Sequence, residues 1–255
     1  MQLYTSENGT RLSGLANVGD NVNNSLIATA EIIPGIPAKI RLLLLRRDAA
    51  ATLHVAQSAD LNETENGWAS FAQWYGGNLF CAVLGSSSLH ELCRSQGASQ
   101  TPFDNTPRVH ILPEEVIAIC GLQSNGECRL AASFYDKTFR VFRVSGATLC
   151  ELQIVPRPDS NFWKPRTLLA LPGGSLILGS SFRDASNSQT LKYGIECCAA
   201  QPDGFLASSK RLHAPFIDFA LIGLLQSIDD SSILRIVTRD TNRALCIYSL
   251  KNQDL

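Results

Sequence analysis

Three arginines and a tyrosine each stand immediately before an aspartate: Arg47-Asp48, Tyr135-Asp136, Arg183-Asp184 and Arg239-Asp240. A guanidinium binds carboxylate or phosphate through paired N–H donors, and tyrosine offers a hydroxyl and a ring face. Repeated at equivalent points of a fold, Arg47, Tyr135, Arg183 and Arg239 would suit an acidic or phosphorylated segment of a partner protein. The plainer alternative is four exposed turn residues, some pairing with local carboxylates. The aspartates have a role of their own. A carboxylate at a β-turn accepts from the turn's backbone N–H groups and keeps the two strands in register. Asp48, Asp136, Asp184 and Asp240 are therefore assigned to turns rather than to catalysis.

Other reactive side chains form weaker constellations. The histidines, His54, His90, His110 and His213, lack metal-ligand spacing, and no two cysteines form a C-x-x-C pair, so no metal site and no cofactor is expected. No G-x-S-x-G or phosphate-cradling glycine loop is present, and the glycines of "LPGGSLILG" suit a hairpin turn. Glu31 and Asp218 fall on strand-like runs and would be the carboxylate pair if the chain hydrolysed glycosides. A pair picked from 23 acidic residues is weak support, and a non-catalytic chain is the expectation.

Composition narrows the class further. The 255 residues are 45% apolar and 18% charged, which describes a globular chain with a sizeable core. A formal net charge of −1 disfavours a globally basic nucleic-acid binder. Trp74, Tyr75, Tyr135 and the arginines could still stack on bases and neutralise phosphates, so a nucleic-acid or phospho-ligand binding subunit is the alternative function. No run approaches the ~18 apolar residues of a membrane span. The opening "MQLYTSENGT" lacks a basic region followed by an apolar one. Most of the eight cysteines lie in apolar runs such as "LFCAVLG" and "ALCIYSL", as reduced core thiols do in a cytoplasmic or nuclear protein. The glycosylation-type triplets at Asn8, Asn23 and Asn62 are then chance matches.

The elements that must position these residues are strands. "KIRLLLLRRDAAATLHVAQ", "RLAASFYDKTFRVFRV", "GSLILGSSFRDASNSQTLKYGIECC" and "SILRIVTRDTNRALCIYSL" each read as strand, turn with aspartate, strand. The aspartates are 88, 48 and 56 residues apart. A fifth hairpin fills the long gap, "GGNLFCAVLGSSSLHELCRS", with serines in place of the aspartate. A strand-like run precedes each hairpin and is expected to be the inner strand of its blade, near residues 26–33, 68–74, 115–121, 166–171 and 217–224, and most hairpins are followed by a candidate fourth strand such as "ATLCELQIV". Repeated four-stranded units of about 50 residues describe an all-β fold, a β-propeller of five blades, as a single domain over residues 1–255.

The segment "LPEEVIAICGLQSNGECRLAASFYDKTFRVFRVSGATLCEL" resembles one blade of a WD-repeat β-propeller. Val116, Ile117 and Ile119 match the inner strand, Asn125-Gly126 the hairpin turn, Arg129 to Ser133 the second strand and Asp136 the turn aspartate. Phe142 stands at the usual tryptophan, and His110 lies upstream near the usual Gly-His pair. No blade ends in Trp-Asp, so the chain resembles a divergent member. The resemblance implies a scaffold that holds other proteins on a propeller face as a subunit of a larger complex. The last hairpin, ending "ALCIYSLKNQDL", has no sequence left for a fourth strand, so residues within 2–15 are expected to add to the blade of residues 217–250 and close the ring, the alternative being an open ring whose gap another chain fills.

Overall fold

The computed structural model describes residues 10–18, 26–35, 39–47, 52–61, 69–73, 77–95, 102–124, 127–155, 164–171, 174–183, 191–207, 210–211, 219–226, 233–240 and 245–251. Among them every regular element is a strand. The chain divides into two compact units, Met1–Gly121 and Leu122–Leu255.

The first unit holds two four-stranded antiparallel sheets. One runs β1 (Arg11–Asn17), β2 (Leu26–Ile33), β3 (Lys39–Arg47), β4 (Leu53–Asp60); the other runs β5 (Ala69–Gln73), β6 (Leu79–Val83), β7 (Ser88–Leu92), β8 (Arg108–Ile111). The four leucines Leu42 to Leu45 are all buried, although alternate residues of a strand point to opposite faces. Both faces of β3 are therefore covered, which is why its sequence is a continuous apolar run rather than an alternating one. The shared core joins Ala28, Ala30, Leu42 and Leu44 to Leu79, Cys81, Val83 and Phe103.

The sheet β9 (Val116–Ser124), β10 (Glu127–Phe134), β11 (Phe139–Ser145), β12 (Thr148–Ile154) begins with a strand that straddles the division. The second unit continues with β13 (Lys164–Ala170), β14 (Leu176–Arg183), β15 (Leu191–Cys198), β16 (Lys210–Arg211), and then a sheet of three described strands, β17 (Phe219–Gln226), β18 (Ile233–Asp240), β19 (Leu245–Lys251). Within this unit β10 packs on β13, and β13 on β17.

All five expected hairpins form, and the five strand-like runs before them are β2, β5, β9, β13 and β17. The N-terminal expectation is corrected for residues 11–15 and lies outside the described residues for 2–9. Arg11–Asn17 pairs with Leu26–Ile33 of its own sheet, not with the last sheet. A short connection to β2 makes that antiparallel pairing cheap in loop-closure entropy. Ser13 fixes the strand further: its carbonyl accepts from Thr29 Oγ1 at 3.4 Å, and its Oγ accepts from the Ala69 amide at 2.8 Å. The first sheet thus starts one strand earlier than the sequence repeat suggests, and residues 26–33, expected as the inner strand of their blade, form its second strand. The β3–β4 turn lies between its third and fourth strands, whereas the β10–β11, β14–β15 and β18–β19 turns lie between second and third.

Candidate interaction surface

The β10–β11 turn is defined in most detail. Lys137 donates to the Phe134 carbonyl at 3.1 Å, and Phe134 donates to the Thr138 carbonyl at 3.1 Å. Lys137 takes a φ of 70°, a left-handed conformation uncommon outside glycine. Asp136 supports it. Its Oδ1 accepts from the Thr138 amide at 2.8 Å and from the Thr138 hydroxyl at 2.7 Å, and its Oδ2 accepts from Arg140 Nη2 at 3.1 Å. Arg140 also donates to Glu151 Oε2 at 2.8 Å and stacks over the Phe134 ring at 5.4 Å. Burial pushes the Asp136 carboxyl up, but the bonds from Thr138 and the Arg140 charge outweigh it and hold the group below its ordinary range. Arg140 is pushed up, first by its bond to Glu151. Below the turn, Phe134 and Phe142 meet edge to face with centroids 6.2 Å apart, so Phe142 fills a core position.

The serine-containing turn of the second sheet makes the same local bond. Ser86 Oγ accepts from the Ser88 amide at 3.0 Å, two residues on, as Asp136 accepts from Thr138. A hydroxyl there replaces a carboxylate.

The residues singled out in the sequence separate on inspection of these hairpins. Tyr135 lies in its turn, 38% exposed, beside exposed Asp136 and Lys137. Arg183 and Arg239 instead close strand ladders, facing Leu191 and Leu245. Arg47 also closes a ladder, facing Leu53, but at the third-to-fourth turn, so it does not share the position of the other three. The side chains of the three arginines, and residues Asp48 and Asp184, lie outside the described residues. Asp240 is the last residue of β18 and faces Phe219, so its backbone belongs to the strand rather than to the turn. Glu31 is buried on β2, a second strand, with its carboxylate 4.0 Å from Arg41. Asp218 lies outside the described residues. Among the described residues no group of His, Cys, Asp and Glu could hold a metal.

Sequence reasoning passed over four polar centres, three buried and one half-buried. Glu91 on β7 is fully buried and accepts from Asn78 at 2.6 Å and Arg108 at 3.0 Å, with His110 Nε2 at 2.7 Å from the same carboxylate. A charged residue in the otherwise buried run Leu89 to Leu92 demands such partners, and that was the available signal. Gln57 on β4 and Gln153 on β12 each clamp a backbone. Gln57 donates to the Phe103 carbonyl at 2.7 Å and accepts from the Phe103 amide at 3.1 Å. Gln153 does the same to Leu206 at 2.7 and 3.0 Å. Arg129, buried on β10, donates to the Gly204 carbonyl and to Glu127 and lies over the Phe205 ring at 5.8 Å. The described cysteines are thiols. Burial raises the Cys120 thiol to about 12, which leaves it inert.

No family model and no curated protein matches the sequence. Solved structures do. Sqt1 of Chaetomium thermophilum is similar with a TM-score of 0.59 at 13% identity, over 95% of this chain and 72% of that one. The β-propeller domain of Nup133 from Vanderwaltozyma polyspora gives 0.57 at 9% identity, over 98% and 86%. The GH43 β-1,3-galactosidase BT3683 gives 0.52 at 11% identity, over 81% and 79%. At these identities the likeness is one of fold: all-β, in antiparallel sheets of the β-propeller type.

Proposed function

We propose that this chain is a non-catalytic interaction scaffold, a subunit of a larger assembly in the cytoplasm or nucleus. In this proposal residues 1–255 form one divergent WD-repeat-like propeller domain, and Tyr135, Arg183 and Arg239 bind an acidic or phosphorylated segment of a partner protein. The observation that carries it is the Asp136 turn. Three bonds from Thr138 and Arg140 hold that turn rigid and leave Tyr135 exposed at its tip. A turn fixed before binding loses little entropy when a ligand arrives, which suits recognition. Arg183 ends the corresponding second strand of its sheet and Arg239 stands one residue before the end of its own, in the same unit, and this supports grouping them with Tyr135. Arg47 is left out because its turn joins different strands. A glycosidase role gains no support from Glu31, whose carboxylate is buried beside Arg41 on a second strand.

The test is affinity capture of the tagged chain from cells, followed by binding of the identified partner to Tyr135→Ala/Arg183→Glu/Arg239→Glu. Loss of binding is expected, with stability changed by less than about 0.5 kcal/mol per site. Unchanged binding by a folded triple variant overturns the surface. Capture that vanishes on nuclease treatment favours the nucleic-acid alternative.

A further inference from the structure

The outer edge of the second sheet combines features that point to a ligand. β8 ends the order β5-β6-β7-β8, and its far side pairs with no strand among the described residues. Its register sets Arg108 against Glu91, Val109 against His90, His110 against Leu89 and Ile111 against Ser88. Just beyond, the Leu112 amide donates to the Ser87 carbonyl at 2.7 Å. In an antiparallel ladder the residues whose N–H and C=O point at the partner alternate. Leu112, His110 and Arg108 therefore aim their backbone at β7, and Val109 and Ile111 aim theirs outward. The same two residues expose their side chains, Val109 by 51% and Ile111 by 75%, the latter the most exposed large apolar side chain among the described residues. The edge is short, a four-residue strand lying between Pro107 and Pro113, so its outward-facing N–H groups are confined to Val109 and Ile111, and at those two positions it carries branched aliphatics rather than a lysine or an inward charge.

The surrounding charge says what fits. Arg108, the one cation of the strand, is bound to buried Glu91. Beyond Ile111 come exposed Glu114 and Glu115, and before the strand exposed Asp104. The geometry points to β-strand addition at β8: an extended segment of a partner protein pairs antiparallel with Val109 and Ile111 through main-chain bonds, with apolar residues at two alternate positions and basic residues preceding them. Antiparallel pairing continues the order of the sheet and brings the residues before the apolar pair toward Glu114 and Glu115. This ligand is basic and apolar, unlike the acidic segment proposed for the other surface, and it docks in the first unit.

The probe is the synthetic peptide KKTITVT, fluorescently labelled and titrated into the full chain by anisotropy. Saturable binding is expected, weakened by salt and by exchanging its lysines for glutamates. Ile111→Pro removes an outward N–H and leaves the ladder donors Arg108, His110 and Leu112 in place, so it should weaken binding about tenfold or more with the melting temperature nearly kept. Val109→Lys/Ile111→Lys, which keeps every backbone donor, should do the same by repelling the lysines. Arg183→Glu should leave the titration unchanged. No saturation at millimolar peptide, or equal binding by folded Ile111→Pro, overturns the proposal. Self-association of the chain that Ile111→Pro abolishes, without peptide binding, also overturns it and assigns the edge to a second copy.

Discussion

Gln57 and Gln153 sit on the fourth strands of two sheets in different units, and each pairs its side-chain amide with one backbone residue of a neighbouring sheet's outer loop. Phe103 and Leu206, the residues held, both lie between third and fourth strands. The shared clamp makes β4 and β12 equivalent. It follows that two hairpins with similar sequences hold different places: Arg47-Asp48 joins third to fourth strand, and Tyr135-Asp136 joins second to third. A strand-turn-aspartate-strand signal specifies a hairpin, but the strand that precedes it decides the hairpin's place in the sheet.

The largest expected effect comes from breaking the clamps separately. Gln57 is buried, the residue it holds is fully buried, and it makes further bonds to the Asp104 carbonyl and Asn105 Oδ1. Gln153 is half-buried and, among the described residues, holds Leu206 alone. Truncation strands a backbone N–H and C=O in each case. Gln57→Ala should cost about 3 kcal/mol and Gln153→Ala about 1–2 kcal/mol in denaturant unfolding, because an unsatisfied group costs more where water cannot reach it. The reverse ranking would mean that the two clamps are not equivalent parts.

What the sequence disclosed follows from the same distinction. Hairpins were legible because alternation and turn chemistry act over a few residues, as in "RLAASFYDKTFRVFRV" and "SILRIVTRDTNRALCIYSL". The segment opening "QLYTSENGTRLSGL" was legible as strand-like, but strand propensity carries no information about which edge a strand joins. Ser13, Thr29 and Ala69 settle that, and their bonds span 16 and 56 positions. Asp136 was legible as a turn residue, whereas the Arg140 contact that completes its site depends on how β11 presents that side chain. Glu91 and His110 are 19 positions apart, and only the β7–β8 register brings them together.

A smaller effect separates two glycine turns, one in each unit. Gly85 and Gly204 have φ of +86° and +79°, so alanine is strained at both. A Cβ on Gly85 would meet nothing within 4 Å, and Gly85→Ala should cost about 1 kcal/mol. A Cβ on Gly204 would lie 2.8 Å from Arg129 Nη2, a guanidinium held by Glu127 and by the Phe205 ring. Gly204→Ala should therefore cost about 2 kcal/mol, and Arg129→Lys/Gly204→Ala should lose less than the sum of its single changes, because the clash is then partly relieved. Full additivity would show that Arg129 and residue 204 act independently.

The smallest effect distinguishes the aspartate turn from the serine turn by pH. Both make the same two-residue bond, to Thr138 in one and Ser88 in the other, but only Asp136 titrates. Its carboxyl is 28% exposed, so the pairing with Arg140 is partly screened, and Asp136→Asn should cost about 0.5–1 kcal/mol at neutral pH. Burial raises the folded carboxyl's pKa, the bonds from Thr138 and Arg140 lower it more, and the net shift is downward from 3.8. A group with a depressed folded pKa contributes fully above its unfolded value and loses that contribution as pH falls through the folded value. The stability difference between wild type and Asp136→Asn should therefore be constant from neutral pH down to about pH 5 and should shrink below the ordinary carboxylate range. Ser86→Ala removes an acceptor that carries no proton equilibrium, so its cost, also about 1 kcal/mol, should stay level across the same titration. Matched pairs of unfolding curves at each pH cancel the acid effects common to the whole chain. A gap for Asp136→Asn that persists unchanged to pH 2 would remove the charged pair from the account of this turn and leave the aspartate doing only what the serine does.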